Sequence, residues 1–402
     1  MGQKKTLIGL NLSVFIMMLG VGMIVVLLPK KIIDFTGSDS MVGYLASAFA
    51  ISYILLQVPI GNLSDKLGFK LFLFFGYLLC SATGLLFYFA NSANLIFLGR
   101  IFQGAGEAPI WALAPALLSI QFPESKGKVI GIYNAAIHMG LTIGPILGIV
   151  VLKVWTGNQP FLFYAFVCFL GAVITLFSVE NINKKQVIDK ESMNLKKILT
   201  LMSDRNTFVA LFGITLYGAG YGVFLTIIPA FLIGQKGFNQ TLIGVYFSLF
   251  YVAISLSQII TGHFSDKIGR EIFMILGLIV AALGVGIFPG LGHPFITIIL
   301  ALAGLGLGVF YLASMAFLNE QVPNSLKGTI SGAYYLFWGI GFFLGPIVVG
   351  RLGELPGFNK GFIIFSMALV VEVVTMIFFY RKKIIGGIYE SSPFGFRGRN
   401  HP

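Results

Sequence analysis

The sequence predicts an all-α membrane protein with twelve transmembrane helices in two pseudo-symmetric six-helix bundles. Three observations predict it. Of the 402 residues, 57% are hydrophobic and 10% charged, and the mean hydropathy is +0.91. An ordinary soluble domain is roughly 45–50% apolar and about 25% charged. The apolar residues form long continuous runs, near the about 20 residues a spanning helix needs, without the alternation of barrel strands. The two halves of the chain repeat each other at an offset of 200–201 residues. This composition excludes a soluble enzyme, a disordered chain and a secreted disulfide scaffold.

In order, the spans are expected at 7–29, 41–62, 71–91, 94–120, 129–155, 160–179, 206–233, 241–262, 271–291, 294–319, 329–351 and 359–380. The first follows Lys4 and Lys5, exceeds a signal-peptide core and lacks an Ala-x-Ala site, so it reads as an uncleaved span. The longest polar gap divides the spans six and six. The expected organisation is therefore an N-terminal bundle (1–180), a linker (181–205), a C-terminal bundle (206–383) and a disordered cytoplasmic tail (384–402). In the linker, Leu195, Ile198, Leu199 and Met202 make the apolar face of a short helix lying on the membrane surface.

The net charge of +12 would raise nucleic acid as a partner in a soluble protein. Here the basic residues sit in short gaps between apolar runs. With the N-terminus inside, 20 of them fall in inner gaps and 6 in outer gaps, Arg100 being intramembrane, which predicts that both termini are cytoplasmic. The expected setting is the cell membrane, with the bilayer and a small-molecule substrate as partners, no nucleic acid, and a monomeric state. Cys80 and Cys168 lie inside apolar runs and imply neither a disulfide nor a metal.

The repeat is specific. Gly20-x-Gly22 with Pro29 returns as Gly220-x-Gly222 with Pro229. Gly61, Asp65, Lys66 and Gly68 return as Gly262, Asp266, Lys267 and Gly269. Gly131, Gly140, Gly144 and Pro145 return as Gly332, Gly341, Gly345 and Pro346. Two six-span copies enclose a site at their interface, near the bilayer midplane, which is the architecture of a transporter.

The loop after span 2, Gly61-x-x-x-Asp65-Lys66-x-Gly68-x-Lys70, joins two helices in a few residues. Glycines there permit unusual backbone angles and close helix approach, and Asp65 suits a helix N-terminus. This doubled loop resembles the signature loop of the major facilitator superfamily, and the resemblance covers about 380 residues, essentially all but the tail. It implies gating loops at both copies. Phe69 and Glu271 each stand where that family usually has a basic residue.

Span 4 carries Arg100-x-x-Gln103-Gly104-x-Gly106, which resembles the family's span-4 signature and so implies proton coupling through Arg100. An arginine inside a span needs a partner. Arg100, Gln103 and Glu107 form one helical stripe, with Arg100 and Glu107 about 10 Å apart along the axis. Water or Gln103 is expected to bridge them. Ala301 replaces Arg100 in the second half, so the stripe exists once.

Span 5 has Gly131, Gly140, Gly144-Pro145 and Gly148, a spacing that resembles the signature of proton-driven exporters, with Ile149 in place of a second glycine. Its small residues are expected to pack span 5 against a helix of the other bundle, while the near-copy in span 11, with Gly341, Gly345 and Pro346 as helix-packing residues, fits simple close packing as well.

His138, beside Asn134, is a further candidate for proton coupling. Trp111, Asn134, Tyr217, Tyr221 and Trp338 are candidate cavity residues, although with 14% aromatics in the chain, packing toward lipid is the stronger reading for any one of the rings. The chain has no Walker A loop, H-E-x-x-H or G-x-S-x-G. The expected function is therefore secondary transport without a cofactor, driven by a proton gradient, as efflux of amphiphilic or drug-like compounds. The alternative is transport of small organic anions or metabolites, with Arg100 contacting the anion.

Overall fold

A computed structural model describes residues 2–122, 126–151, 157–180, 203–322, 327–354 and 359–391. The linker helix expected near 195–202 lies outside these, as do the side chains of Gly61, Asp65, Lys66, Gly262, Asp266 and Lys267. All regular elements of the described residues are helical. Eleven segments are long and apolar enough to cross a membrane. The twelfth, Ala93–Gln121, holds the Arg100, Gln103 and Glu107 stripe, which lowers its hydropathy.

Two spans are broken, and the repeat explains where. Span 1 consists of Gly2–Val25 and Leu28–Thr36, and span 7 of Arg205–Leu225 and Ile227–Gly234. Proline lacks an N–H, and its ring clashes with the carbonyl four residues earlier. The first piece of each span ends at that residue, Val25 before Pro29 and Leu225 before Pro229.

Spans 2 to 6 are Tyr44–Leu67, Phe69–Phe89, Ala93–Gln121, Lys126–Val151 and Gln159–Ser178. Spans 8 to 12 are Gln240–Ile268, Arg270–Ile287, Phe295–Glu320, Lys327–Glu354 and Asn359–Ser391. The last helix thus continues through 384–391, residues the sequence assigned to a disordered tail. Spans 2 and 3, and 8 and 9, are separated by one glycine each, which corrects the expected loops: Gly61, Asp65 and Lys66 belong to the C-terminal turns of Tyr44–Leu67, so Asp65 is not at a helix N-terminus, and Gly262, Asp266 and Lys267 belong likewise to Gln240–Ile268. Gly68 and Gly269 sit at φ 93° and 116°, which side-chain-bearing residues rarely adopt.

The bundles pack alike. Span 1 lies on span 5 as span 7 lies on span 11, span 2 on span 4 as 8 on 10, and span 3 on span 6 as 9 on 12. The bundles meet along span 2 against span 11 and span 5 against span 8.

The glycine stripe of span 5 corrects one expectation. Gly140 and Gly144 face span 1 of their own bundle, not the other bundle. A Cβ at Gly140 would lie 2.6 Å from the Phe15 carbonyl, and one at Gly144 would strike the Leu19 carbonyl. Gly341 and Gly345 face Thr215 and Ala219 of span 7 in the same way. The contact with the other bundle is made by Ile149 against Gly244 of span 8. Bulk suffices there because span 8 supplies the small residue. Gly131 has open space around its Cα.

Candidate functional site

A cavity of about 160 Å³ lies between the bundles, and its two walls differ in chemistry. The N-terminal bundle contributes Arg100, Gln103, Glu107, Trp111, Asn134 and His138. The C-terminal bundle contributes aromatic rings, among them Tyr217, Tyr221, Tyr251, Tyr311 and Trp338. The asymmetry follows from divergence between the two copies, since the polar stripe of span 4 has no copy in span 10.

The stripe is a continuous hydrogen-bonded chain. Arg100 Nη1 donates to Gln103 Oε1 at 2.7 Å, and Gln103 Nε2 donates to Glu107 Oε1 at 2.9 Å. Trp111 Nε1 donates to Glu107 Oε2 at 3.1 Å. Four residues at helical spacings of three and four therefore share one face. Gln103 bridges the separated charges, and the indole supplies a donor to the acid's second oxygen. Arg100 is 8% exposed and Glu107 4%. A buried carboxylate and guanidinium are tolerated only when paired and hydrogen-bonded.

Span 2 completes the arginine's surroundings. Arg100 Nε donates to the Leu45 carbonyl at 2.9 Å, and its guanidinium carbon lies 4.7 Å from the centre of the Phe49 ring. Gly104 permits this approach, because a Cβ there would strike the Phe49 carbonyl. Ser52 Oγ adds a tie between the helices, donating to the Ile101 carbonyl at 2.6 Å.

One end of the cavity is sealed by rings from both bundles. Phe49 meets Phe342 edge to face at 6.1 Å, and Tyr53 meets Trp338 at 6.0 Å. Beyond them, Ser47 Oγ donates to the Phe343 carbonyl at 2.6 Å, Arg351 Nη2 donates to the Tyr44 hydroxyl at 2.9 Å, and Ser40 donates to Glu354. These contacts lie at the distal end, which carries residues 37–43. Gly68, Gly269 and the N-terminus are at the proximal end. There Arg270 donates to Glu320 at 3.1 Å and to Ser265, within the C-terminal bundle.

All nine cavity and coupling candidates from the sequence line this one cavity: Arg100, Gln103, Glu107, Trp111, Asn134, His138, Tyr217, Tyr221 and Trp338. Gly140, Gly144, Pro145, Gly341, Gly345 and Pro346 support it as helix contacts, Gly131 makes no such contact, and Gly68 and Gly269 are not among its lining residues. Phe49, Tyr53, Tyr251, Tyr311, Tyr335 and Phe342 were not singled out by the sequence. Among the described residues, no group of His, Cys and carboxylates is arranged to hold a metal.

The Major Facilitator Superfamily profile matches residues 10–239 and 210–387. The chain belongs to this superfamily. It is 26% identical to an uncharacterised MFS-type transporter of Methanocaldococcus jannaschii over 94% of this chain and 98% of that one. Multidrug resistance protein 1 of Bacillus subtilis is 24% identical, over 93% of this chain and 97% of its own length. Among solved structures, a mutant of the nucleoside transporter NupG superposes with a TM-score of 0.78 at 15% identity, covering 93% of this chain and all of that one. A bacterial homologue of the human lysosomal transporter Spinster, inward-facing and unoccupied, gives 0.74 at 16% identity, covering 97% and 99%. This major facilitator is a multi-pass membrane transporter of small molecules, is not an enzyme, and needs no cofactor.

Proposed function

We propose that this transporter is a proton-coupled exporter of amphiphilic, drug-like compounds in the cell membrane, with both termini cytoplasmic and the distal end outside. The observation that carries the reading is the cavity's two-sided chemistry. A single acid, Glu107, sits on a hydrogen-bonded stripe, opposite a wall of aromatic rings. Aromatic faces attract cations and flat apolar groups, and a buried acid is a proton site within substrate reach. Substrate and proton then compete for one place, so that binding of one at either side of the membrane displaces the other. The multidrug relative supports export. Arg100 uses its Nε, its Nη1 and one face on protein groups, which disfavours its serving as the contact for an anionic substrate.

Purified protein in acid-inside liposomes tests this, with ethidium as an aromatic cation and carboxyfluorescein as an anion. The expected result is ethidium uptake with simultaneous proton exit, both abolished when an ionophore collapses the pH gradient. Uptake of carboxyfluorescein in place of ethidium, or ethidium movement without proton exit, contradicts the reading. The orientation has its own check. A reporter fused after the last helix and active only inside the cell is expected to be active, whereas activity of an outside-only reporter reverses the assignment.

A further inference from the structure

We infer that Phe49 is the positioning residue through which the charge of the Arg100–Glu107 stripe acts on the docking of span 2 against span 11. The inference rests on Glu107 as the proton site. Its own evidence is the place of one ring in two sets of contacts. One face of Phe49 receives the Arg100 guanidinium, while the same ring meets Phe342 of the other bundle and stacks on Tyr53 at 5.5 Å. Tyr53 in turn meets Trp338. The other span 2 group held by Arg100 is the Leu45 carbonyl, two residues before Ser47, whose hydroxyl is bound to span 11. Both of the arginine's links to span 2 therefore fall within the stretch that closes the distal end.

With Glu107 ionised, the stripe is neutral, and Gln103 carries the pairing between acid and base. One proton added to the carboxylate leaves the stripe at +1, with the guanidinium uncompensated. The Phe49 face and the Leu45 carbonyl then hold the remaining charge, and an attraction between a desolvated cation and a ring is worth about tenfold or more in an equilibrium. Protonation thus favours the arrangement in which Phe49 is drawn beneath Arg100, and the same ring position meets Phe342. A proton taken from the distal side closes that side behind it. Loss of the proton to the proximal side restores the neutral stripe and loosens span 2.

Other titratable groups surround Glu107: Tyr53 on span 2, Tyr133 and His138 on span 5, Tyr221 on span 7 and Tyr251 on span 8 line the same cavity, and Tyr77 on span 3 and Tyr164 and Cys168 on span 6 interact electrostatically with it. Of these, His138 is the type that titrates near neutrality, so it is included as a control.

The test needs no substrate. Spin labels attached through Asp34→Cys and Leu352→Cys report the separation of the bundles at the distal end; the two native cysteines are buried and do not compete for label. In the otherwise unaltered protein, the short-distance population is expected to rise about tenfold relative to the long one as pH falls. Phe49→Leu keeps an apolar side chain and is expected to lose that response, Phe49→Trp to retain it, and Phe342→Leu to weaken it from the other side. Glu107→Gln is expected to abolish it and His138→Gln to keep it. A pH response that survives in Phe49→Leu but not in Glu107→Gln overturns the role of Phe49 and leaves the proton site standing. A response that survives in Glu107→Gln and vanishes in His138→Gln overturns the proton site itself. No response in the parent protein overturns the link.

Discussion

Arg100→Ala is expected to lower pH-gradient-driven transport by about two orders of magnitude at equal protein in the membrane. Removing the guanidinium leaves the buried Glu107 carboxylate without its counter-charge, which reaches it through Gln103, and an uncompensated buried charge is strongly destabilising. Here the damage is wider than one pair. Gln103 Oε1 loses its donor, the Leu45 carbonyl is left without its guanidinium partner, and the Phe49 face is bare. Arg100→Lys is expected to recover little. An ammonium is a point charge and does not reproduce the planar fork that reaches a carbonyl and an amide oxygen while stacking on a ring. Initial rates in liposomes, normalised to reconstituted protein, provide the measurement. A lysine variant near the native rate would show that charge alone matters at this position.

Gly341→Ala is expected to produce the largest loss of stability from a single added methyl group. Its Cβ would strike the Thr215 carbonyl and come within 2.8 Å of the Ala219 nitrogen. Both neighbours are backbone of span 7, so the helices must separate, and overpacking of this kind costs about 1–3 kcal/mol. Gly131→Ala is the matched comparison. It belongs to the equivalent motif in span 5, but nothing lies within 4 Å of its would-be Cβ. There the gain in helix propensity, about 1 kcal/mol, is unopposed. Thermal unfolding of the purified variants in detergent is expected to place Gly341→Ala well below the parent and Gly131→Ala at or above it. Equal midpoints for the two would refute the close contact between spans 7 and 11.

These two glycines show what was legible in the sequence and what was not. Spacing identifies a small face on a helix, but it does not say which neighbour that face meets. Span 5 was therefore expected to lie with its glycines on the other bundle, and they lie on span 1. Proline is read more securely, because its effect is local. Pro29 and Pro229 break their helices at the residue four before each, wherever the rest of the chain goes. Gly68 and Gly269 were legible as turn glycines, but the turn is a single residue where the sequence placed a gap of several, because the helices before it continue to Leu67 and Ile268. The stripe of Arg100, Gln103 and Glu107 was legible because charge inside an apolar run is rare, and three or four residues on a helix settle a common face. The cavity's other wall was not. With 40 phenylalanines and 15 tyrosines in the chain, a ring facing lipid and a ring facing a cavity have the same spacing and the same neighbours in sequence. Phe49 was invisible for that reason, and the Leu45 carbonyl because backbone acceptors leave no mark on a sequence.

In the proposed mechanism one carboxyl, Glu107, exchanges the proton that drives transport. The measurement is the number of protons released per ethidium taken up, in liposomes, for the parent protein and for Glu107→Gln. The glutamine keeps an oxygen to accept from Trp111 or Gln103, and nearly the same volume, but it cannot take up and release a proton. Glu107→Gln is expected still to exchange ethidium for ethidium across the membrane, to release no protons with it, and no longer to respond to the pH gradient. A Glu107→Gln protein that moves protons and ethidium in the parent's ratio would contradict this mechanism.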